Sequence, residues 1–428
     1  MRSKKSRDEA MRFSLDVRRA RQGDCLIVHY GSKEAPGLAL IDGGPAQVYG
    51  PQLKPRLDQI RKARGLDPSL SVDLLMVSHI DDDHINGILE LTNELVVAGD
   101  ARQPLPYKVR GVWHNTFDDI IGNDPNKLLA AVTASFGPAA LRGEPDTEGL
   151  DPATAAVLAS VGQGFRLRDD IRKLKLRINP EFKGKLIMAT ANGKSHNMGK
   201  GLTLTVAGPM QAELAALQKA HDAFLKKQEK EKETKAALAA FTDASVPNLS
   251  SLVLLAEVET KRMLLTGDAR GDKILKGLEL VGKLKKGGTM HVDILKVPHH
   301  GSDRNMDPIF FRRITADHYV FSGNGMYGNP ERDTLQMLLD ERGDENFTVH
   351  FTYPIDEIDG RRKKNWGEEQ TKEKTSKKSN TKVKVRENWS PQKHSLTAFF
   401  AAHQDFAGKL SIVEEGTPHV INLLDALE

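Results

Sequence analysis

The chain has 428 residues, a length that suits one elaborated domain or a domain with additions. Its composition, 39% hydrophobic, 28% charged and 6% aromatic, is that of an ordinary folded protein and excludes collagen-like, coiled-coil and wholly disordered chains. The formal net charge of +4 is too small to indicate nucleic-acid binding by itself.

Cysteine content and hydropathy narrow the class of protein further. The single cysteine, Cys25, excludes an internal disulfide and favours a reducing compartment. No apolar run reaches the roughly 18 residues of a membrane span, and the basic start of the chain is not followed by the apolar core of an export signal. We therefore expect a cytoplasmic protein without membrane contact.

The first part of the chain predicts the order strand, turn, strand, helix, strand. Residues 25–30 and 37–41 form apolar runs typical of strands, and residues 52–63 carry apolar side chains at helical spacing. The next strand, 72–77, is nearly all apolar, as expected for a strand covered on both faces. This order predicts an α/β fold built in layers.

The rhythm of strands is interrupted in the middle of the chain. Residues from about 118 to 200 show a helical pattern broken by Gly and Pro, which predicts an insertion. Residues 212–241 predict a charged helix exposed to solvent. Further strands are predicted at 202–206, 251–258, 262–266, 292–297 and 318–322, so that residues 1–360 form one domain.

The chain changes in composition after residue 360. Residues 361–387 hold 11 Lys or Arg against 4 Asp or Glu and contain no Phe, Leu, Ile or Met. Such a segment cannot bury enough apolar surface to fold by itself, so we expect it to be flexible. Its positive charge makes 361–386 a candidate contact for nucleic acid, although a solubilising role fits equally well. Residues 388–428 predict an extension that packs on the core.

The strongest chemical signal stands where the strand 72–77 ends. Four potential ligands occur there within six residues: His79, Asp81, Asp83 and His84. Imidazole and carboxylate bind Zn²⁺, and the number of carboxylates also suits Mn²⁺. A tight loop would let these groups converge on a cation; an acidic surface turn is the alternative.

Three other predicted strands end in comparable polar residues. Asp42 follows the strand 37–41, Asp268 follows 262–266, and His299 and His300 follow 292–297. Each feature alone is typical of an ordinary cap or surface turn. Their recurrence at four strand ends predicts one site assembled from all of them.

In this order the motifs resemble those of the metallo-β-lactamase superfamily, and within it the ComEC-type hydrolases, over roughly residues 12–351. The usual His-x-His-x-Asp-His pattern reads His79-x-Asp81-x-Asp83-His84 here. The resemblance implies an αββα sandwich with a helical insertion and a C-terminal extension. It also implies two divalent metal ions, Zn or Mn, with Asp42 bracing the site from behind and these ligands: His79, Asp81, Asp83, His84, Asp268 and His300.

The chain departs from the relatives at two positions. Asn248 stands near the place of a histidine ligand, and it either binds metal through its carbonyl oxygen or braces the turn. Asn329 replaces the histidine of a Tyr-Gly-His-Pro motif. Ser302, Asn324 and Asn329 are candidate substrate contacts. The membrane channel of the relatives has no counterpart here, so the resemblance implies no transport.

The ligand set predicts hydrolysis. Two cations about 3.5 to 4 Å apart lower the pKa of a bridging water and stabilise charge on the attacked centre. Asp83, His299 and His300 are the candidate catalytic residues. We favour His300 as a metal ligand, and His299 would then hold a substrate oxygen or protonate the leaving group.

The substrate class stays open between three hypotheses. The resemblance and the basic segment favour a phosphodiesterase or nuclease. Hydrolysis of a small ester, thioester or lactam keeps the fold and changes the substrate. A non-catalytic metal-binding interaction module is the third hypothesis, and the full set of ligand residues argues against it.

Overall fold

A computed structural model describes residues 10–66, 68–115, 152–215, 250–379 and 383–426. These residues form an α/β protein with two large sheets and one two-stranded sheet, which confirms the α/β class predicted from the sequence. Within these ranges, no helix combines the length and the apolar character needed to cross a bilayer.

The first large sheet has six strands, with an antiparallel part followed by a parallel part. In spatial order they are β16 (His419–Asn422), β1 (Arg12–Val17), β2 (Leu26–Gly31), β3 (Pro36–Ile41), β5 (Leu74–Met76) and β7 (Val112–Trp113). Phe13 lies opposite Tyr30 in the antiparallel part, and β5 and β7 then run parallel to β3. The ends of β3 and β5 therefore lie side by side at one edge.

The strand predicted at 72–77 is divided in the structure. Its first part, β4 (Leu70–Val72), pairs with β6 (Tyr107–Val109) in the two-stranded sheet, and its second part is β5. Asp73 stands at the break, where its carboxylate accepts hydrogen bonds from Tyr30 Oη at 3.1 Å and Lys200 Nζ at 2.8 Å. This polar residue interrupts the apolar run because it has these partners.

The second large sheet has eight strands. In spatial order they are β15 (Leu410–Ile412), β14 (Thr348–Phe351), β13 (Ile314–Phe321), β12 (Met290–Lys296), β11 (Lys261–Leu265), β10 (Val253–Val258), β9 (Leu202–Gly208) and β8 (His196–Gly199). Neighbours from β8 to β11 are antiparallel, and neighbours from β11 to β15 are parallel. The carboxyl ends of β11, β12 and β13 thus share one edge.

Three buried apolar clusters define the layers. The first lies between the two sheets and joins Phe13 and Val28 of one sheet to Leu254 and Met263 of the other. The second lies on the outer face of the first sheet, under α1 (Lys54–Ala63), α2 (Asp82–Asp100) and α3 (Pro152–Lys173). The third lies on the outer face of the second sheet, under α4 (Gly271–Leu280), α5 (Pro308–Arg313) and α6 (Arg332–Arg342). The layer order is helix, sheet, sheet, helix.

The predicted insertion and charged helix lie largely outside the described residues, which omit 116–151 and 216–249. The described part of the insertion begins with α3, which packs along α2 through a 2.7 Å hydrogen bond from Gln163 to Asp82. Its last residues form β8, the edge strand of the second sheet. Strand pairing thus begins a few residues before the boundary predicted near residue 200.

The sequence predicted a flexible basic segment at 361–387, and most of this segment has regular secondary structure. A helix, α7 (Ile355–Ser379), covers most of it. Ile358 is fully buried, and Arg362 donates hydrogen bonds to Gly328 O at 2.9 Å and His394 O at 2.6 Å. Trp366 packs against Trp389. The prediction, which used only the number of apolar residues, did not include these contacts. They attach the helix to the rest of the fold.

The residues after 388 belong to both sheets. Three short helices, α8 (Pro391–His394), α9 (Leu396–Ala402) and α10 (Gln404–Ala407), precede β15 and β16. Leu396, Phe399 and Phe406 are buried in the cluster of the second sheet. β15 and β16 then close one edge of each large sheet. The boundary predicted at residue 360 therefore divides elements that the structure joins.

Candidate metal centre

The carboxyl ends of parallel strands bring the predicted site residues together. Asp42 follows β3, and His79 follows β5 by a short turn that leads into α2. Asp268 follows β11, and His299 and His300 follow β12. The two sheets face each other, so these turns meet at one end of the sandwich.

The first turn of α2 is rich in acidic residues, which a helix amino terminus stabilises. Asp81 is the N-cap residue, and Asp83 and His84 lie in the first turn. The helix approaches the Asp42 turn closely: Gly43 N donates to His84 O at 2.8 Å, and a Cβ at Gly87 would lie 2.0 Å from Gly43 O. Glycine at position 87 thus permits the approach that sets His84 against Asp42.

One set of candidate ligands surrounds Oδ1, one of the two carboxylate oxygens of Asp268. The ring Nε2 atoms of His84 and His300 each lie 3.3 Å from Asp268 Oδ1 and 3.3 Å from each other. Asp83 oxygens lie 3.8 Å from His84 Nε2 and 3.6 Å from His300 Nε2. One ligand atom from each of these four residues lies within 4.8 Å of all the others. We call Asp83, His84 and His300 the second ligand group.

A different set of ligands surrounds the other oxygen of Asp268. Asp268 Oδ2 lies 3.6 Å from His79 Nε2 and 3.5 Å from His299 Nε2. An oxygen of Asp81 lies 3.5 Å from His79 Nε2. We call His79, Asp81 and His299 the first ligand group. Asp268 thus stands between two groups of nitrogen and carboxylate ligands and faces each with a separate oxygen.

For the adjacent histidines the sequence predicted one metal ligand and one catalytic group, a division of roles that stays a prediction. His299 and His300 both have left-handed backbone angles, with φ of 47° and 54°. This turn directs His299 to one oxygen of Asp268 and His300 to the other. Both histidines therefore face the cluster, with the ring of His299 about a quarter exposed and that of His300 buried.

The other ring nitrogen of three histidines is held by a polar partner. His84 Nδ1 donates to Asp42 Oδ2 at 2.8 Å. His79 Nδ1 lies 3.1 Å from Ser78 Oγ, which in turn donates to Asp42 at 2.6 Å. His300 Nδ1 lies 3.0 Å from Ser322 Oγ. A proton on each Nδ1 leaves the Nε2 lone pair directed at the cluster, the arrangement found behind metal ligands.

Burial and charge shift the pKa values of the cluster strongly. Burial raises the pKa of Asp81 to about 6, and the carboxylates of Asp83 and Asp268 act in the same direction. Burial alone would lower the pKa of His84, but Asp268 and Asp42 raise it well above its usual value. Burial alone would raise the pKa of Asp268, but the imidazoles, His300 foremost, hold it well below. Oxygens that stabilise protons on these rings would equally stabilise a cation.

The residues present fit a divalent metal pair. His79 Nε2 is buried and has no hydrogen-bond partner among the described residues, so its lone pair is available to a metal ion. Imidazole and carboxylate are the donors that Zn²⁺ and Mn²⁺ accept. Asp42 lies behind His84 rather than in either ligand group, which places it among the bracing residues.

The remaining predicted residues surround the histidine turn. Ser302 N donates to His299 O at 2.9 Å, and Asn329 Nδ2 donates to the same oxygen at 3.4 Å. Asn324 Oδ1 accepts from Met326 N at 3.1 Å. Ser302 and Asn329 thus help to shape the histidine turn, whereas the contact of Asn324 lies within its own turn. Asn248 lies outside the described residues.

Sequence reasoning missed three buried residues behind the cluster. Asp24 precedes β2, Lys296 ends β12, and Ser322 follows β13. All three are nearly fully buried. The sequence feature that could have revealed this group is Lys296. It is a cationic residue at the end of a largely apolar strand, and a buried cation requires a partner of opposite charge.

Comparison with curated proteins gives short matches to one kind of protein. No family model matches the chain. It is 37% identical over 75 residues to microtubule-associated protein 1A of Homo sapiens and 40% identical over 70 residues to that of Rattus norvegicus. These matches cover 17% and 15% of the chain. The chain spans 3% and 2% of the length of these curated relatives, so the likeness is local.

Proposed function

We propose that this protein is a metal-dependent hydrolase of the metallo-β-lactamase fold, related to the ComEC-type enzymes, with two divalent ions of Zn or Mn. The observation that carries the proposal is the position of Asp268, whose two oxygens face two separate ligand groups. The layer order of helix, sheet, sheet, helix also supports it.

The two ligand groups assign a role to each residue. His79, Asp81 and His299 would hold one ion, Asp83, His84 and His300 would hold the other, and Asp268 would bridge them. Bound there, the ions would lower the pKa of a water between them and stabilise charge on the attacked group. Asp42 and Ser78 keep the rings of His84 and His79 oriented. The ring of His299 is partly exposed, so it could also contact a substrate oxygen.

A phosphodiester, as in a nucleic acid, is the substrate that we favour. The basic helix α7 packs on the turn that contains Gly328 and Asn329. Arg362 of the helix donates to Gly328 O, and Asn329 donates to His299 O in the cluster. Lys363 and Lys364 of this helix are exposed to solvent. Positive charge that begins next to the cluster would attract a polyanion without reading its sequence.

A substrate panel tests this proposal. Chelated protein reconstituted with Zn²⁺ or Mn²⁺ is assayed on bis-p-nitrophenyl phosphate, single- and double-stranded nucleic acids, a thioester and a lactam. We expect hydrolysis of phosphodiesters, loss of activity in Asp268→Ala, and normal activity in Asp272→Ala, an exposed acid of α4.

The other results of the panel decide between the alternatives. Hydrolysis of the thioester or lactam alone would replace the phosphodiesterase with a small-ester or lactam hydrolase. Tight metal binding without any turnover would favour the non-catalytic interaction module. Absence of metal binding would contradict the proposal as a whole.

A further inference from the structure

A buried ion pair lies directly behind the candidate metal centre. Lys296 Nζ lies 2.7 Å from Asp24 Oδ2, and both side chains are about 1% exposed. Lys296 ends β12 four residues before His300, and Asp24 stands just before β2 in the other sheet. The pair therefore joins the two sheets beneath the cluster.

The ion pair reaches His300 through a hydroxyl group. Ser322 Oγ donates a hydrogen bond to Asp24 Oδ1, so its oxygen is left to accept from His300 Nδ1 at 3.0 Å. Asp24 Oδ1 itself lies 3.5 Å from His300 Nδ1. We call Asp24, Lys296 and Ser322 the support group. Its contacts fix both the ring orientation of His300 and the nitrogen that carries the proton.

The support group serves one ligand group more than the other. Besides His300, Asp24 lies near His84, with 4.0 Å between Asp24 Oδ2 and His84 Nδ1. Both histidines belong to the second ligand group. His79 of the first ligand group is instead held by Ser78, whose hydroxyl donates to Asp42.

The lysine explains how the carboxylate is tolerated at this depth. An ionised carboxylate away from water is costly unless it is paired and hydrogen-bonded. Lys296 supplies the opposite charge, and its ammonium also donates to Val297 O at 3.1 Å. Asp24 can then accept the hydrogen bond of Ser322, and its charge is balanced by Lys296 rather than by the proposed metal ions.

We propose that the support group is a positioning unit that sets the affinity of the second ligand group for its cation, with a smaller effect on the first. This inference rests on the proposed metal-dependent function. In this inference Asp24, Lys296 and Ser322 do not contact the substrate.

Two variants test the inference without relying on an unpaired buried charge. Ser322→Ala removes the hydroxyl and leaves the ion pair intact. The double variant Asp24→Leu with Lys296→Met replaces both charges with apolar chains of similar size, since removing one partner alone destabilises the fold strongly. The double variant Lys261→Met with Asp293→Asn is the control, because Lys261 forms a 2.6 Å ion pair with Asp293 in the same sheet and both charges are again removed together.

The readout is Zn²⁺ binding, measured by competition with a chromophoric chelator and by elemental analysis, with circular dichroism as the measure of folding. We expect one equivalent to bind as in the unaltered protein and the other to bind about 10- to 100-fold more weakly in both variants. The control variant, Lys261→Met with Asp293→Asn, should bind both equivalents normally.

Each other outcome has a definite meaning. Unaltered affinity for both equivalents in folded variants would show that the support group is structural only and overturn the inference. Equal weakening of both equivalents would also overturn it, because the effect would not be confined to the second ligand group. If the unaltered protein binds neither Zn²⁺ nor Mn²⁺, the proposed function itself fails.

Discussion

Replacement of Asp42 by Asn tests how the orientation of one histidine controls metal affinity. The buried carboxylate of Asp42 accepts hydrogen bonds from Ser78 N at 2.7 Å, Ser78 Oγ at 2.6 Å and His84 Nδ1 at 2.8 Å. Asn has the same shape, and it tolerates the left-handed backbone at this position, where φ is 58°. The fold should therefore survive the change.

The expected loss follows from the donors that Asn introduces. With the carbonyl oxygen of the new side chain kept on Ser78 N, its amide nitrogen would point at His84 Nδ1 and donate to it. His84 would then carry its proton on Nε2, the atom that faces Asp268. Loss of such a partner behind a metal ligand weakens binding about 10- to 100-fold, which is about 1.4 to 2.8 kcal/mol.

Calorimetric titration with Zn²⁺ measures this loss. Asp42→Asn is compared with the unaltered protein and with Asp272→Asn, an exposed acid outside the cluster. The expected result is weaker binding in Asp42→Asn alone, with normal circular dichroism. A folded Asp42→Asn variant that binds both equivalents with unaltered affinity would refute the reasoning.

Three further predictions address the ligands, the pH dependence and the basic helix. Asp83→Ala should abolish hydrolysis with little change in circular dichroism, and turnover retained after re-metallation would place the active site elsewhere. Because the pKa of Asp81 is raised to about 6 and the pKa of His84 lies well above its usual value, protons compete for both candidate ligands in acid, so Zn²⁺ affinity should fall as the pH drops from 7 to 5; a flat titration over this range would contradict this. Changing the exposed Lys363, Lys377 and Lys378 to Gln should lower the logarithmic salt slope of nucleic-acid binding by about 0.7 to 0.9 per lost phosphate contact, and an unchanged slope would show that the helix does not bind.

The sequence predicted those parts of the fold that depend on local patterns. The buried strands β2, β3 and β10 coincide closely with apolar runs, because strands covered on both faces contain few polar residues. The candidate ligands were readable for a similar reason. They stand directly after such strands, where the chain has just left the core.

Features that depend on distant partners were not predictable in this way. Asp73 divides a strand because Tyr30 and Lys200 reach it, and Arg362 anchors a charged helix through backbone oxygens of other elements. Asp24 and Lys296 pair across the two sheets. A local pattern can show that a buried charge such as Lys296 needs a partner, but it does not identify the partner, since the residues involved are far apart in sequence.

The same limit applied to the histidine pair. The sequence placed His299 and His300 at a strand end and predicted one metal ligand and one catalytic group, but it did not predict how the turn orients the two rings. Their left-handed backbone angles, which direct the two rings to different oxygens of Asp268, are a property of the turn as folded.

Anomalous X-ray diffraction from crystals grown with Zn²⁺ or Mn²⁺ tests the central claim most directly. Data collected at the absorption edge of the metal locate each ion independently of the protein atoms. The account predicts two peaks about 3.5 to 4 Å apart, one on each side of the Asp268 carboxylate. Well-diffracting crystals grown with the metal that show no anomalous peak at either ligand group would contradict the account.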